Sequence, residues 1–184
     1  MVRPRVASTF LPFLSLRRSR QQVTLSRDMT EADSILAGER SRRRPERIVN
    51  AFAPGYVIAE SDETNNTMCI MTFTNAPGEG PPPHTHTVED ETFIVHEGVL
   101  EFYQDDRTFT GQPGDVIYLV RGRRHYFKVI SGNPAKYTVV CVPGGFDRFF
   151  REAAVEFQKL QPNIATLIGI GAKYGIHIEA PPAP

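Results

Sequence analysis

The chain has 184 residues, its 21 Lys and Arg are balanced by 21 Asp and Glu, and it is 40% hydrophobic and 10% aromatic. That length suits one globular domain, and the apolar content excludes a disordered polyelectrolyte. No apolar run approaches the roughly 20 residues that span a bilayer, and zero net charge argues against a nucleic-acid binder, so neither membrane nor nucleic acid is expected as a partner.

Residues 1–27 hold Arg3, Arg5, Arg17, Arg18, Arg20 and Arg27 and no acid, whereas residues 28–184 hold 15 basic and 21 acidic residues, a net charge of −6. The start has the composition of an organellar transit peptide. Pro4 and Pro12 would interrupt the amphipathic helix such peptides form, and Phe10–Leu16 is short for a secretory core. Residues 1–28 are therefore read as disordered or dispensable, with translation from Met29 a further option. Cytoplasmic localisation is expected, and mitochondrial if the segment is a transit peptide. Residues 29–47 form an N-terminal arm in which Asp33–Leu36 is too short for a helix and Arg40–Arg47 reads as a solvated basic run.

From Ile48 the texture becomes β. Strands are expected at Val49–Phe52, Tyr56–Glu60, Thr67–Thr74, Thr92–Val95, Val99–Tyr103, Thr108–Thr110, Val116–Val120, His125–Ile130 and Tyr137–Val142. Pro54–Gly55, Asp62–Asn66, Gly98, Asp105–Asp106, Pro113–Gly114, Arg121–Gly122 and Gly132–Pro134 punctuate them, and Ala76–Pro83 is a loop too rich in Pro to join a ladder. Short strands at close spacing predict an all-β sandwich or barrel over residues 48–143.

After Gly144–Gly145 the period changes. Phe146, Phe149, Phe150, Ala153, Ala154, Phe157 and Leu160 follow helical spacing, which predicts an amphipathic helix over Phe146–Leu160. Its Phe stripe reads as a core face docked on the barrel rather than a ligand box. Pro162 suits the first turn of a second helix reaching about Tyr174, with Gly175 at its stop. Residues 144–184 are thus C-terminal helices closed by the Pro-rich tail Ala180–Pro184.

Three of the five histidines carry the chemistry. His84 and His86 sit at i and i+2, so in an extended segment both project from one face. Glu91 can join them if the intervening residues turn, and a barrel can bring the later strand that starts at His125 against them. Three imidazoles and one carboxylate suit Fe, Mn, Co, Ni, Cu or Zn and leave positions open for water, O2 or substrate.

The glycines around these residues form a frame. From Gly78 to Gly98 the order is Gly-x5-His84-x-His86-x4-Glu91-x6-Gly98, which resembles the first motif of the cupin family at every defined position. Gly114-x7-Gly122-x2-His125 resembles the second motif, with Val120 and Val129 where that motif usually has Pro and Asn. Gly144-Gly145-Phe146 and Lys173-Tyr174-Gly175-Ile176 look like the tail of quercetin-dioxygenase-like monocupins. The resemblance implies a double-sheet cupin barrel (jelly roll) with two C-terminal helices and one divalent metal per subunit, Fe(II) first, held by His84, His86, Glu91 and His125. Glu89 and Asp90 compete for the carboxylate role, and spacing to Gly98 favours Glu91.

Strand parity puts Phe93 and Val95 on the face of Glu91 and Phe127 on that of His125, so these three are candidates for an apolar pocket wall. His96 falls on the opposite parity, as a surface or supporting residue, and His177 near the tail reads as solvated. Cys69 and Cys141, both in β runs, read as buried inert thiols.

The resemblance points to a metal-dependent dioxygenase acting with O2 on a small aromatic or enolisable, polyphenol- or polyketide-like substrate. In that reading Glu91, desolvated by Phe93, gains proton affinity and takes a proton from a substrate hydroxyl. The alternatives are a metal-dependent isomerase, cyclase or dehydratase without O2, and a non-enzymatic small-molecule-binding cupin. No nucleotide-binding signature is present, and a homodimer is expected because sheet edges benefit from cover.

Overall fold

The computed structural model describes residues 47–159 and 163–180. The readings made for the basic segment 1–28, for the arm up to residue 46, for Pro162 and for the last four residues lie outside them.

Strands β1 (Ile48–Asn50), β2 (Pro54–Ala59), β3 (Cys69–Asn75), β4 (His84–His86), β5 (Asp90–Glu97), β6 (Leu100–Gln104), β7 (Arg107–Gly111), β8 (Val116–Leu119), β9 (His125–Val129) and β10 (Ala135–Val142) are followed by α1 (Phe146–Phe157), α2 (Ile164–Lys173) and β11 (Ile176–Ile178). They form two antiparallel sheets. The first runs β1-β2-β3-β10-β5-β8 and the second β11-β4-β9-β6-β7. This is the expected double-sheet jelly-roll barrel with two C-terminal helices.

Period-two burial builds it. Cys69, Met71 and Phe73 point inward from β3 while Ile70, Thr72 and Thr74 are more exposed, and Glu91, Phe93 and Val95 do the same in β5. The inner faces meet through aromatic rings: Phe93 of the first sheet lies 5.2 Å from Phe102 and 5.7 Å from Phe127 of the second, and Tyr137 lies 5.2 Å from Phe127. Between β5 and β6, Gly98 adopts φ +73°, and a Cβ there would come within 2.7 Å of Ala135 Cα. Only glycine allows that tight turn.

The helices close one side of the barrel. Phe146, Phe149, Phe150 and Ala153 are buried on α1, and Asp147 accepts hydrogen bonds from the Ser61 amide at 3.1 Å and from the Ser61 hydroxyl. Helix α2 is capped by Asn163, whose side chain accepts from the Thr166 amide at 3.2 Å. Among the described residues no helix is long and apolar enough to cross a membrane.

One expectation is corrected and one gap is filled. Arg47, the one described member of the basic run, is buried rather than solvated: it donates to the Ile58 carbonyl at 2.8 Å and pairs with Glu63 and Glu60. The sequence assigns no element to the residues between Gly175 and the tail, and the structure does. Ile176, His177 and Ile178 form the edge strand β11, opposite His86, Thr85 and His84 respectively. The strand carrying two of the histidines therefore has a partner on both sides.

Candidate metal centre

In β4 the burial order is inward, outward, inward, so His84 and His86 project together into the barrel with Thr85 between them. His125 opens β9 and stands directly opposite His84 in the antiparallel register, their ring centroids 4.4 Å apart. His125 thus arrives as a neighbour within the second sheet. Glu91 comes from β5 of the first sheet and reaches across the barrel, where its Oε2 lies 2.9 Å from His125 Nε2 and 3.7 Å from His86 Nε2.

The outer nitrogens of all three rings are occupied. His84 Nδ1 meets the Pro82 carbonyl at 2.9 Å, His125 Nδ1 meets the Arg123 carbonyl at 3.0 Å, and His86 Nδ1 meets Glu89 Oε2 at 3.3 Å. A carbonyl or carboxylate at Nδ1 takes the ring's N–H and leaves the Nε2 lone pair for another partner. His86 Nε2 is buried and has no hydrogen-bond partner. An unpaired buried polar atom is costly, and a cation removes that cost.

Charge tells the same story. Burial and then the two neighbouring imidazoles hold His84 down at about 3, so it is neutral. Burial pushes the Glu91 carboxyl up, but His86 and the hydrogen bond and charge of His125 pull harder and leave it at about 2. His125 is depressed by burial and lifted more by Glu91, ending above its ordinary value. The expectation that desolvation beside Phe93 would raise the proton affinity of Glu91 is therefore reversed. Three facing imidazoles outweigh it, and Glu91 is an anion.

The donor set fits a metal. One nitrogen from each of His84, His86 and His125 and one Glu91 oxygen all lie within 4.8 Å of one another. Two donors about 2.1 Å from a common ion are at most about 4.2 Å apart, so small rotations close the set on it. The mix of imidazole and carboxylate suits the first-row divalent ions named above.

Glu89 has a different place from the one considered for it. It is buried against the outer nitrogen of His86 instead of facing the other donors. Asp90 grips Arg121 through two side-chain bonds of 3.1 and 2.8 Å and the Arg121 amide at 2.8 Å, tying the start of β5 to the loop that leads to His125. His96 is exposed on the other face of β5, 2.7 Å from the Thr138 hydroxyl, and His177 is exposed on β11. Cys69 and Cys141 are fully buried and directly opposed across β3 and β10. Their shared hydrogen bond lowers the Cys69 thiol, while burial pushes Cys141 well up.

An almost wholly apolar cavity adjoins three of the four donors. Phe93 and Phe127 line it together with His84, Glu91 and His125. Val95 does not: it is buried in the core, against the position a side chain on Gly111 would take. Phe146, Phe149 and Phe150 of α1 do line the cavity, so the Phe stripe is both core face and pocket wall. Phe146 stands edge-on to His86 at 4.6 Å. Phe73, Asn75 and Tyr137 also line it; the alternation of β3 and β10 carried that signal, but neither strand held a metal-binding motif.

Two facing antiparallel sheets around a buried three-histidine, one-carboxylate cluster define a small β-barrel with a candidate metal centre. Residues 71–141 match the model of the cupin domain family. One curated relative, the uncharacterized HTH-type transcriptional regulator YdiP of Escherichia coli (strain K12), is 32% identical over 88 residues, 48% of this chain; the chain spans only 28% of that protein. Among solved structures, a predicted oxalate decarboxylase from Thermotoga maritima is similar at 19% identity and TM-score 0.50, over 56% of this chain and 95% of that one. The polyketide cyclase RemF from Streptomyces resistomycificus is similar at 24% identity and TM-score 0.45, over 52% and 69% respectively. At these identities the structural likeness concerns the fold alone.

Proposed function

We propose that this cupin-like domain binds one divalent metal through His84, His86, Glu91 and His125 and acts as a metal-dependent oxidoreductase, a dioxygenase of the quercetin-dioxygenase-like kind, on a small aromatic or enolisable substrate. The observation that carries the reading is the buried, unpartnered Nε2 of His86 beside Glu91, at one end of a cavity walled by aromatic rings. Iron(II), the first choice here, would be held by these four residues and would supply redox chemistry with O2.

The chain's own residues would do the rest. The rings of Phe93, Phe127 and Phe146 exclude water and hold a flat apolar substrate against the donors. Glu91 makes both of its contacts through Oε2, and Oε1 has no hydrogen-bond partner among the described residues. Oε1 is therefore the atom of Glu91 left to take a proton from a substrate hydroxyl.

Elemental analysis of the purified chain, followed by oxygen uptake by the iron(II)-loaded protein with polyphenol- and polyketide-like compounds, tests the proposal. Uptake that depends on iron and is lost in Glu91→Gln with metal retained supports it. Full turnover by Glu91→Gln with its metal in place removes the proton-acceptor role. Bound zinc with turnover in the absence of oxygen would replace the reading with an isomerase, cyclase or dehydratase acting through a Lewis acid. Protein that binds no metal would make the barrel a simple ligand carrier.

A further inference from the structure

One polar pair interrupts the apolar wall away from the metal donors. Tyr137 donates its hydroxyl hydrogen to Asn75 Oδ1 at 2.7 Å, and both residues line the cavity while only 4% and 2% exposed. The pair lies at the other end of the strands from Glu91. Cys141 stands opposite Glu91 in the β10–β5 register, and Tyr137, four residues earlier, stands opposite Val95. At about 3.3 Å per residue that is about 13 Å along the strand. Asn75, opposite Ala135, is one inward-facing position farther still.

The pair has hydrogen-bonding capacity to spare. Burial first, and the Glu91 charge second, push the Tyr137 phenol well above its ordinary range, so it stays protonated and donates. Its oxygen keeps lone pairs that can accept. The Asn75 side-chain nitrogen has two hydrogens and no hydrogen-bond partner among the described residues. A buried amide with free donors beside a hydroxyl oxygen with free lone pairs matches a group that both accepts and donates, a hydroxyl above all and a carbonyl next. The cavity volume of about 70 Å³ corresponds to about two waters at about 30 Å³ each, which a ligand entering the cavity would displace.

We infer that Asn75 and Tyr137 are specificity-determining residues, forming a subsite that recognises an oxygen substituent at the end of an aromatic ligand remote from His84, Glu91 and His125. The inference rests on the reading of this cavity as the substrate site and adds to it the class of substrate, a flat ligand with an oxygen function at each end. One oxygen faces the metal donors and the other meets Asn75 and Tyr137.

The test compares β-naphthol with the naphthalenediol that carries a second hydroxyl at the far end of the ring pair, using the zinc-loaded full-length protein. The chain has no Trp, so naphthol fluorescence reads binding without indole background. The diol is expected to bind at least about tenfold more tightly than the naphthol, a factor that one added hydrogen bond supplies. The ratio is expected to fall to about one in the double variant Tyr137→Phe with Asn75→Leu, while the naphthol affinity stays within about threefold. Equal affinities in the wild type overturn the inference, as does a ratio that survives in the double variant. Where the double variant does not melt cooperatively, the wild-type ratio and Tyr137→Phe alone decide it. Repeating the titrations after chelation separates the two readings. Loss of metal weakens both ligands if the cavity serves the metal centre, whereas the diol-to-naphthol ratio reports Asn75 and Tyr137 alone. A high ratio with no effect of chelation sinks the metal-centred reading and keeps the subsite, and a ratio of one with a strong effect of chelation does the reverse.

Discussion

Glu89 Oε2 lies 3.3 Å from His86 Nδ1, with the two side chains 2% and 0% exposed. The contact holds the ring so that Nε2 faces the other three donors. Glu89→Ala is expected to lower metal affinity by about 10–100-fold, the usual effect of removing a carboxylate behind a histidine ligand. Glu89→Gln keeps an acceptor oxygen and is expected to fall between the two. Competition against a chromophoric chelator measures this, and wild-type affinity in Glu89→Ala would mean that β4 alone orients His86.

The C-terminal strand yields a paired prediction. Ile176 is 1% exposed and stands opposite His86, whereas His177, next in the chain, is exposed. Ile176→Ala is expected to cost about 2–5 kcal/mol of stability in urea unfolding. It should also weaken metal binding, because β11 holds β4 in place. His177→Ala is expected to change stability by less than about 0.5 kcal/mol. Equal effects of the two substitutions would show that β11 does not support the site.

The contrast between Ile176 and His84 shows what could be read from the chain alone. His84, His86 and Glu91 were legible because spacing within one extended segment decides which side chains share a face. The glycines were legible for a related reason: Gly98 has the positive φ that its turn requires. Ile176–Ile178 was not, since three residues carry no periodic signal and β11 exists only because α2 returns the chain to the edge of β4. The Phe stripe of α1 was correctly placed on the barrel, but only the docking itself could show that one helix face serves both core and cavity. Asn75 and Tyr137 are 62 residues apart, and the β3–β10 register alone brings them together. Glu89 stood beside Glu91 as a rival ligand; its place behind His86 follows from the turn into β5, which no spacing rule encodes.

The thiols provide a check on burial. Cys69 and Cys141 are each fully buried, and the Cys141 thiol is pushed well above its ordinary value by burial. Reactivity requires exposed thiolate, so neither is expected to react with Ellman's reagent in the folded protein, and both are expected to react after denaturation. Rapid labelling of either without denaturant would show that β3 and β10 separate in the native state.

Removing the metal should be visible in stability. A ligand that binds the folded chain alone stabilises it by about 2.7 kcal/mol at a hundred times its dissociation constant. Treatment with chelator is therefore expected to lower Tm by several degrees, and excess divalent ion to restore it. His125→Ala removes one of the four donors and should make Tm nearly insensitive to added ion. A full metal-dependent shift in that variant would place the ion elsewhere.

Phe146 separates the core role of α1 from its part in the cavity wall. The ring is buried, stacks on Phe149 at 5.6 Å and stands edge-on to His86 at 4.6 Å. Phe146→Ala is expected to cost about 3–5 kcal/mol because it leaves a void between helix and barrel. Phe146→Leu keeps most of the volume, so it is expected to cost less than about 1.5 kcal/mol and to leave metal affinity unchanged. The leucine lacks the ring, however, and an aromatic contact adds about 0.5–1.5 kcal/mol beyond area, or about 2–12-fold in affinity. β-Naphthol should thus bind more weakly to Phe146→Leu by that factor with zinc content intact. Unchanged naphthol affinity would confine Phe146 to the core and leave Phe93 and Phe127 as the rings that meet the ligand.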